Sequence, residues 1–366
     1  MNIRLTLLDF DDIRNPLLAA GQARATVEVG RRLAQMGYVI TVLSSRYPGF
    51  KDRVEFGMNY RHIGLGSPFI RLNNLFYFFA IPFNVWRARA DIIVECFTPP
   101  ISTLLSPIFT RIPVVAIPTM FSAKDYSRKY HFPFHLIERY GCRLYKYFLP
   151  YTREIEDRMR RYNPAVISAL APNGVGDEYF RIKRQRSRYI LFLGRFDMAQ
   201  KGIDLLIRAY ARVAGSIRYP LRIAGHGPDQ ERIYELIKKL HMEKYITVVG
   251  PLYGRKKLSA LSEAVVIAFP SRHDDFPVFS LEALASGNPL VTFDIHEFSI
   301  FGKDISYKAH AFDIEEYARM LMHAVYDKHL VHKRLLCRRF AGRYTWDKTA
   351  AAYNRFFRRI HRGDFL

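Results

Sequence analysis

Short apolar runs rich in Ile, Val and Leu alternate along this chain with stretches whose apolar positions recur every three or four residues. In the first half the runs are IRLTLL, YVITVLSS, DIIVEC and IPVVAI, and ATVEVGRRLAQMG carries the helical period. The second half starts the series again with YILFLG, GIDLLIRAYARVAG, LRIAG, QERIYELIKKL, ITVVG, KLSALSEA, VVIAFP, FSLEALASG and PLVTFD. A short strand without polar alternation is buried on both faces, so the pattern predicts parallel sheets with helices on either side. Two such series predict two doubly wound domains, as does a length of 366 residues. The basic, irregular RIKRQRSR (181–188) reads as a solvated linker, which divides the chain into 1–182, 183–345 and a closing helix over 346–366.

With 49% hydrophobic and 14% aromatic residues the chain can fill two cores. NLFYFFAIPFNVW (74–86) and CFTPPISTLLSPIFT (96–110) are too short and proline-interrupted to span a bilayer. MNIRLTLLDFDD turns acidic after one short apolar run and reads as a first strand, not a secretion signal. Cys96, Cys142 and Cys337 are odd in number and far apart, which fits neither a disulfide framework nor zinc spacing, so a reducing, cytoplasmic setting is expected. The net charge is +22, divided as +8 over residues 1–180 and +14 over 181–366, and residues 328–366 alone hold 11 basic and 2 acidic groups. Charge of this size admits nucleic acid, an anionic membrane and anionic substrates alike.

Motifs separate these. Ligands of open parallel sheets sit beyond the carboxyl ends of the strands. LFLGRFDMAQKGIDLL puts Gly194 and Arg195 just past a strand and Lys201 and Gly202 just before a helix. A rigid guanidinium fork and a mobile ammonium at one strand end suit a diphosphate. RIAGHGPDQ sets Gly225 and Gly227 in the next such loop, either as a tight turn or for close approach to a ligand. PSRHDDFPVFSLEALASGNPLV (270–291) predicts a strand end, a loop, then a helix with Pro277 in its first turn, Gly287 past its end and Pro289 beyond. The free amides of that first turn form an anion site beside Arg195 and Lys201. Asp274 and Asp275 stand at its mouth, where helix capping is the competing role. Glu282, two turns in, has a surface ion pair as its competing role.

These segments resemble glycosyltransferase family 4, the retaining group with the GT-B fold: α/β, with two Rossmann-like doubly wound parallel-sheet domains facing across a cleft. GRFDMAQKGIDLLIRA, IAGHGP, VVGPL and PSRHDDFPVFSLEALASGNPLV are similar to the donor half of that family in order and spacing. AGQARATVEVGRRLAQMGYVITVLSS resembles its first nucleotide-fold unit, APNGVGDEYF its pre-linker motif, and YTWDKTAAAYNRFF its closing helix, which crosses back toward the first domain. The resemblance implies that Arg195 and Lys201 hold the donor diphosphate with the amides around Phe276 and Val278. It places Glu282 on the ribose hydroxyls, and Asp274, where the family usually has glutamate, on the transferred sugar. Gly194, Gly225 and Gly250 would line the nucleotide site, and Gly21 would admit phosphate or sugar from the opposite domain. A UDP- or GDP-linked sugar donor and net retention are implied, with no cofactor and no required metal, because fixed positive charge stabilises the leaving diphosphate. The acids of DFD (9–11) sit in the first loop of a nucleotide fold and are set aside as metal ligands. Three positions depart from the family: Asp274 replaces glutamate, a histidine is missing near Thr119, and NGVG has Gly176 where aspartate is usual. The first two favour the alternative reading, a non-catalytic GT-B-like nucleotide-binding partner subunit.

In the last helix, 100° per residue puts Trp346, Thr349, Ala350, Tyr353, Phe356, Phe357 and Ile360 on one face and Arg355, Arg358, Arg359 and Arg362 on the other. LFYFFAIPFNVWRARA (75–90) reads equally as a core helix or a membrane-facing one. With the arginine face it predicts a peripheral protein on the cytoplasmic face of an anionic membrane, acting on a glycan or lipid-linked acceptor in polysaccharide or glycolipid synthesis. Nucleic acid is not an expected partner, since no recognition motif accompanies the charge.

Overall fold

In the computed structural model, which describes residues 2–18, 21–98, 102–118, 121, 123–274 and 278–365, the apolar runs become the strands of two sheets. The first holds β1 (Arg4–Leu8), β2 (Val39–Ser45), β3 (Arg53–Glu55), β4 (Met58–Ile63), β5 (Ile92–Cys96), β6 (Val114–Ile117), β7 (Tyr147–Phe148) and β8 (Ile167–Ser168). Their order is β3-β4-β2-β1-β5-β6-β7-β8, parallel except for the antiparallel β3–β4 pair. The second holds β9 (Tyr189–Leu193), β10 (Leu221–Ala224), β11 (Ile246–Val249), β12 (Ala264–Phe269), β13 (Leu290–Asp294) and β14 (Ser306–His310) in the fully parallel order β11-β10-β9-β12-β13-β14. Every residue of β5 and of β12 is buried, as strands covered on both faces require. Leu191 at the centre of β9 is fully buried, and Leu191→Ala would cost roughly 2–5 kcal/mol.

Two sheet elements lie outside the apolar-run pattern for physical reasons. β4 alternates buried and exposed residues because only one of its faces is covered. Its turn from β3 uses Phe56 and Gly57, both at positive φ (55° and 77°), as a tight hairpin demands.

The chain divides into two compact units, Met1–Gly174 with Trp346–Leu366, and Val175–Thr345. The division falls before residue 182 because Val175, Tyr179 and Ile182 are buried in the core of the second unit. Nor is RIKRQRSR a wholly solvated run. Arg184 donates to Leu261 O and Asn288 Oδ1 (both 2.7 Å) and to Ala264 O, and burial pulls its guanidinium down to about 9.

In the first unit the closing helix, Trp346–Arg362, buries all seven residues of the expected apolar face, and Arg355, Arg358, Arg359 and Arg362 are exposed. It is fastened to the Gly21–Gln35 helix by Arg32 Nε to Asp347 Oδ1 (2.5 Å) and to the preceding chain by Thr349 Oγ1 donating to Pro172 O (2.7 Å). Cys96, Cys142 and Cys337 are buried and unpaired. Among the described residues no helix is long and apolar enough to cross a membrane.

Candidate nucleotide-sugar site

In each sheet the chain reverses its direction of travel beside one strand: β2 and β5 flank β1, and β10 and β12 flank β9. Such switch points open a crevice at the carboxyl ends of the strands, because successive loops leave in opposite directions there. In the second unit the two loops at the switch point are those after β9 and β12. They contain Gly194, Arg195, Lys201, Gly202 and Asp274.

The loop after β9 is held by hydrogen bonds and close backbone packing. Asp197 caps the short Met198–Lys201 helix by accepting from Gln200 N (3.0 Å), and Gly202 ends it at φ 62°. A Cβ on Gly202 would lie 2.1 Å from Pro270 O, so the loops after β9 and β12 meet there backbone to backbone. Arg272 completes the joint. Its backbone N donates to Gln200 O (2.8 Å) and its guanidinium spans both Asp204 carboxylate oxygens (2.8 Å each) while reaching Met198 O (2.6 Å). The Asp204 hydrogen bonds raise the Arg272 pKa further, so the clamp stays charged.

On this joint Lys201 Nζ is hydrogen-bonded to Asp274 Oδ2, with side chains only 18% and 13% exposed. The two residues that the sequence assigned separately to diphosphate and sugar are therefore partners. Arg195, two residues past β9, is 65% exposed and lies 4.0 Å from Asp197 Oδ2, too far for a strong ion pair. Gly194 N donates to Ala224 O (3.1 Å) and Gly225 N to Val249 O (3.2 Å), which knits the ends of β9, β10 and β11. Gly225 has φ 149°, and a Cβ there would meet Gly194 O at 1.9 Å, so this glycine answers to packing between loops. Gly250 past β11 has open space around its Cβ position.

The expected helix spans Val278–Ala285, with Gly287 past its end at φ 79° and its N–H on Leu284 O (2.9 Å). Val278 is its first residue and is half-buried. Glu282 is ion-paired with Lys257 of the Gly254–Glu263 helix, whose ammonium also stands 5.5 Å from the ring centres of Tyr179 and Phe279. Asp275, Phe276 and Pro277 lie outside the described residues, as does Thr119.

Family models match both halves of the chain: Glycosyltransferase Family 4 over residues 19–179 and Glycosyl transferases group 1 over residues 187–326. The chain belongs to the family 4 and group 1 glycosyltransferases. The phosphatidyl-myo-inositol mannosyltransferase of Mycobacterium tuberculosis is 29% identical over 157 residues, covering 39% of this chain and 40% of that relative. The aligned stretch is less than half the relative's own length, as it is for other curated matches. Sucrose-phosphate synthase from Thermosynechococcus elongatus superimposes with a TM-score of 0.81 at 17% identity, over 99% of this chain and 100% of that one. HepE from Anabaena, in complex with UDP-glucose, superimposes with a TM-score of 0.71 at 12% identity, over 97% of this chain and 99% of that one. These likenesses give the glycosyltransferase its GT-B fold.

Arg272, Asp204 and Lys257 were not among the residues that sequence reasoning singled out. Arg272 stands two positions before Asp274, and its role depends on an Asp204 contact 68 residues away in sequence. Lys257 lies within GRKKLSALSE, where no spacing distinguishes it from Lys256.

In the first unit, Gly21 is the opening residue of its helix, with nothing near its Cβ position. The acids that follow β1 are already engaged. Asp9 accepts from Thr26 Oγ1 (2.5 Å), and burial, aided by repulsion from Asp11 and Asp12, pushes its carboxyl up to about 7. Asp12 accepts from Arg53 (2.7 Å twice) and lies 2.8 Å from His62 Nε2, and these hydrogen bonds overcome its burial and hold it well below the usual range. Among the described residues, no three His, Cys, Asp or Glu side chains are grouped so as to hold a metal ion.

Proposed function

We propose that this chain is a retaining hexosyltransferase that moves a sugar from a UDP- or GDP-linked donor to a glycan or lipid-linked acceptor. Its product would be a cell-surface polysaccharide or glycolipid. The carrying observation is the convergence of Lys201 and Asp274 at the switch point of the second sheet, with Arg195 exposed at the end of the same strand. In this reading the diphosphate takes over Lys201 and Arg195, while a sugar hydroxyl donates to Asp274 in place of the ammonium. The exchange leaves neither charge buried without a partner. As the glycosidic bond breaks, its electron pair passes to the phosphate oxygen. The developing charge is met by the two cations and the amides that open the Val278–Ala285 helix. No step needs a metal ion or a cofactor. Retention asks the acceptor oxygen to arrive on the face the diphosphate leaves, which sets the departing phosphate oxygen to take the acceptor's proton.

The UDP-glucose complex of the Anabaena neighbour supports the donor class, and the name of the mycobacterial relative supports a lipid-bearing acceptor. Acceptor recognition is assigned to the first unit, and the exposed arginines of the closing helix to attraction toward an anionic membrane. The test is donor turnover with a panel of UDP-, GDP- and ADP-sugars, followed by NMR assignment of the anomeric configuration. Turnover with retention supports the reading. Nucleotide binding with no turnover across the panel would make the chain a non-catalytic partner subunit instead.

A further inference from the structure

The Ile70–Trp86 helix is apolar all round, a composition that ordinarily marks a helix enclosed on every side. Only one face is enclosed. Asn73, Tyr77, Ile81 and Val85 are buried, the last three in the core beside the first sheet and Asn73 on the Ser67 backbone. The other face carries Phe69 (just before the helix), Leu72, Phe76, Phe79, Phe83 and Trp86, spaced three and four residues apart and all exposed. Ile108, on the Ser106–Ile108 turn that packs against this helix, is exposed as well. A continuous aromatic stripe of this size is far outside what scattered surface residues produce.

The sequence on and beside the stripe carries charges of one sign. Residues 56–90 contain no Asp or Glu, nor do residues 96–124. Arg71, Arg87, Arg89 and Arg111 are exposed. Arg71 leans over Tyr130 (5.6 Å to the ring centre), and Arg87 over Phe83 (5.1 Å), so the cations flank the aromatic face at both ends of the helix. Phenylalanines on one face, a tryptophan at its end and arginines at the rim form the pattern of a helix lying in a membrane interface, ring bodies in the acyl boundary and guanidinium groups at the phosphates. At 17 residues with Pro82 inside, the helix is not long and apolar enough to cross a bilayer.

We infer that the outer face of the Ile70–Trp86 helix docks this protein on an anionic membrane surface, its aromatic side chains inserted and Arg71, Arg87, Arg89 and Arg111 on the lipid phosphates. This docking is independent of the transfer reaction and assigns insertion to a surface other than the closing helix.

The chain supplies its own probe. It has two tryptophans, Trp86 at 72% exposure and Trp346 at 3%. The full-length protein is mixed with vesicles of phosphatidylcholine alone, and of phosphatidylcholine with phosphatidylglycerol, with and without brominated acyl chains. The expected result is a blue shift and bromine quenching of Trp86 with the anionic vesicles, weakened by salt. Phe79→Ser with Phe83→Ser should reduce partitioning at least tenfold, and Arg87→Gln with Arg89→Gln roughly tenfold. Both pairs are exposed, so thermal midpoints should hold. Arg355→Gln with Arg358→Gln and Arg359→Gln, at the closing helix, should weaken partitioning by lost attraction but leave the quenching of the bound protein unchanged. Three results would overturn the inference: vesicle binding without quenching of Trp86, no binding to anionic vesicles, or self-association that Phe79→Ser with Phe83→Ser abolishes. The last would make the face a subunit interface. Wild-type quenching decides the matter even where a variant folds poorly.

Discussion

Lys201 Nζ is ion-paired with Asp274 Oδ2 across the switch point of the second sheet, a contact between the loops after β9 and β12. The pair neutralises two nearly buried charges and, in the proposed function, would set a cation for phosphate and a carboxylate for a sugar hydroxyl within reach of one ligand. Arg272 fixes the loop around it by its two bonds to Asp204.

The two acids of this segment have different partners, Lys201 for Asp274 and Lys257 for Glu282, and should respond differently. Asp274→Asn should depress sugar transfer far more than nucleotide affinity, because the neutral amide makes a weaker bond to the sugar hydroxyl while Lys201 and Arg195 remain for the diphosphate. Glu282→Gln, beside Lys257, should weaken nucleoside-diphosphate binding itself by roughly 1–3 kcal/mol. Titration and single-turnover transfer on both variants check this split, and equal losses in both measurements for both variants would contradict it.

The glycines divide between packing and access. Gly225→Ala drives a Cβ into Gly194 O and should lower stability by several kcal/mol. Gly250→Ala meets nothing and should leave stability within about 0.5 kcal/mol, while cutting nucleotide affinity if the ligand passes close to it. Urea midpoints with nucleotide titrations read the two effects separately.

Asp9 gives the first unit a pH signature. Its folded carboxyl keeps a proton up to about 7, whereas an unfolded aspartate loses its proton near about 4. Between those values the folded chain binds more protons, so this group's contribution to stability falls as pH rises and is gone above pH 7. Asp12 has the opposite sign, its contribution vanishing as pH falls below about 4. Asp9→Asn should therefore gain on the wild type by about 1–3 kcal/mol between pH 5 and pH 8, read from urea unfolding at both values. Parallel profiles would refute the assignment.

Transfer should survive excess chelator, since the proposed positive charge is supplied by Arg195, Lys201 and a helix end. Activity lost to EDTA and restored by magnesium or manganese would move that charge to a metal.

Which features were legible in the sequence follows from how far each depends on local chemistry. β9 to β13 and the closing helix are legible because burial on two faces, or on one helical stripe, writes itself into residue type. Gly202 and Gly225 are legible as punctuation, although only the fold shows which backbone each one approaches. Arg184 reads as a solvated charge because its acceptors, Leu261 and Asn288, are 77 and 104 residues away in sequence. The Lys201–Asp274 contact is hidden for the same reason, since its partners are 73 residues apart. The exposed face of the Ile70–Trp86 helix is illegible from composition alone, because a buried helix and a membrane-facing one share it.

The central claim is that Arg195 and Lys201 bind the donor diphosphate. Calorimetric titration of UDP, GDP and their sugars into wild type, Arg195→Ala, Lys201→Ala and the double variant tests it most directly. Arg195→Ala should retain wild-type stability, whereas Lys201→Ala should lose about 1–3 kcal/mol by leaving Asp274 unpaired. Each should weaken the preferred nucleotide at least tenfold, as loss of a charge-assisted bond to phosphate does, and the double variant should abolish measurable binding. A folded double variant that binds nucleoside diphosphates with wild-type affinity would contradict the account.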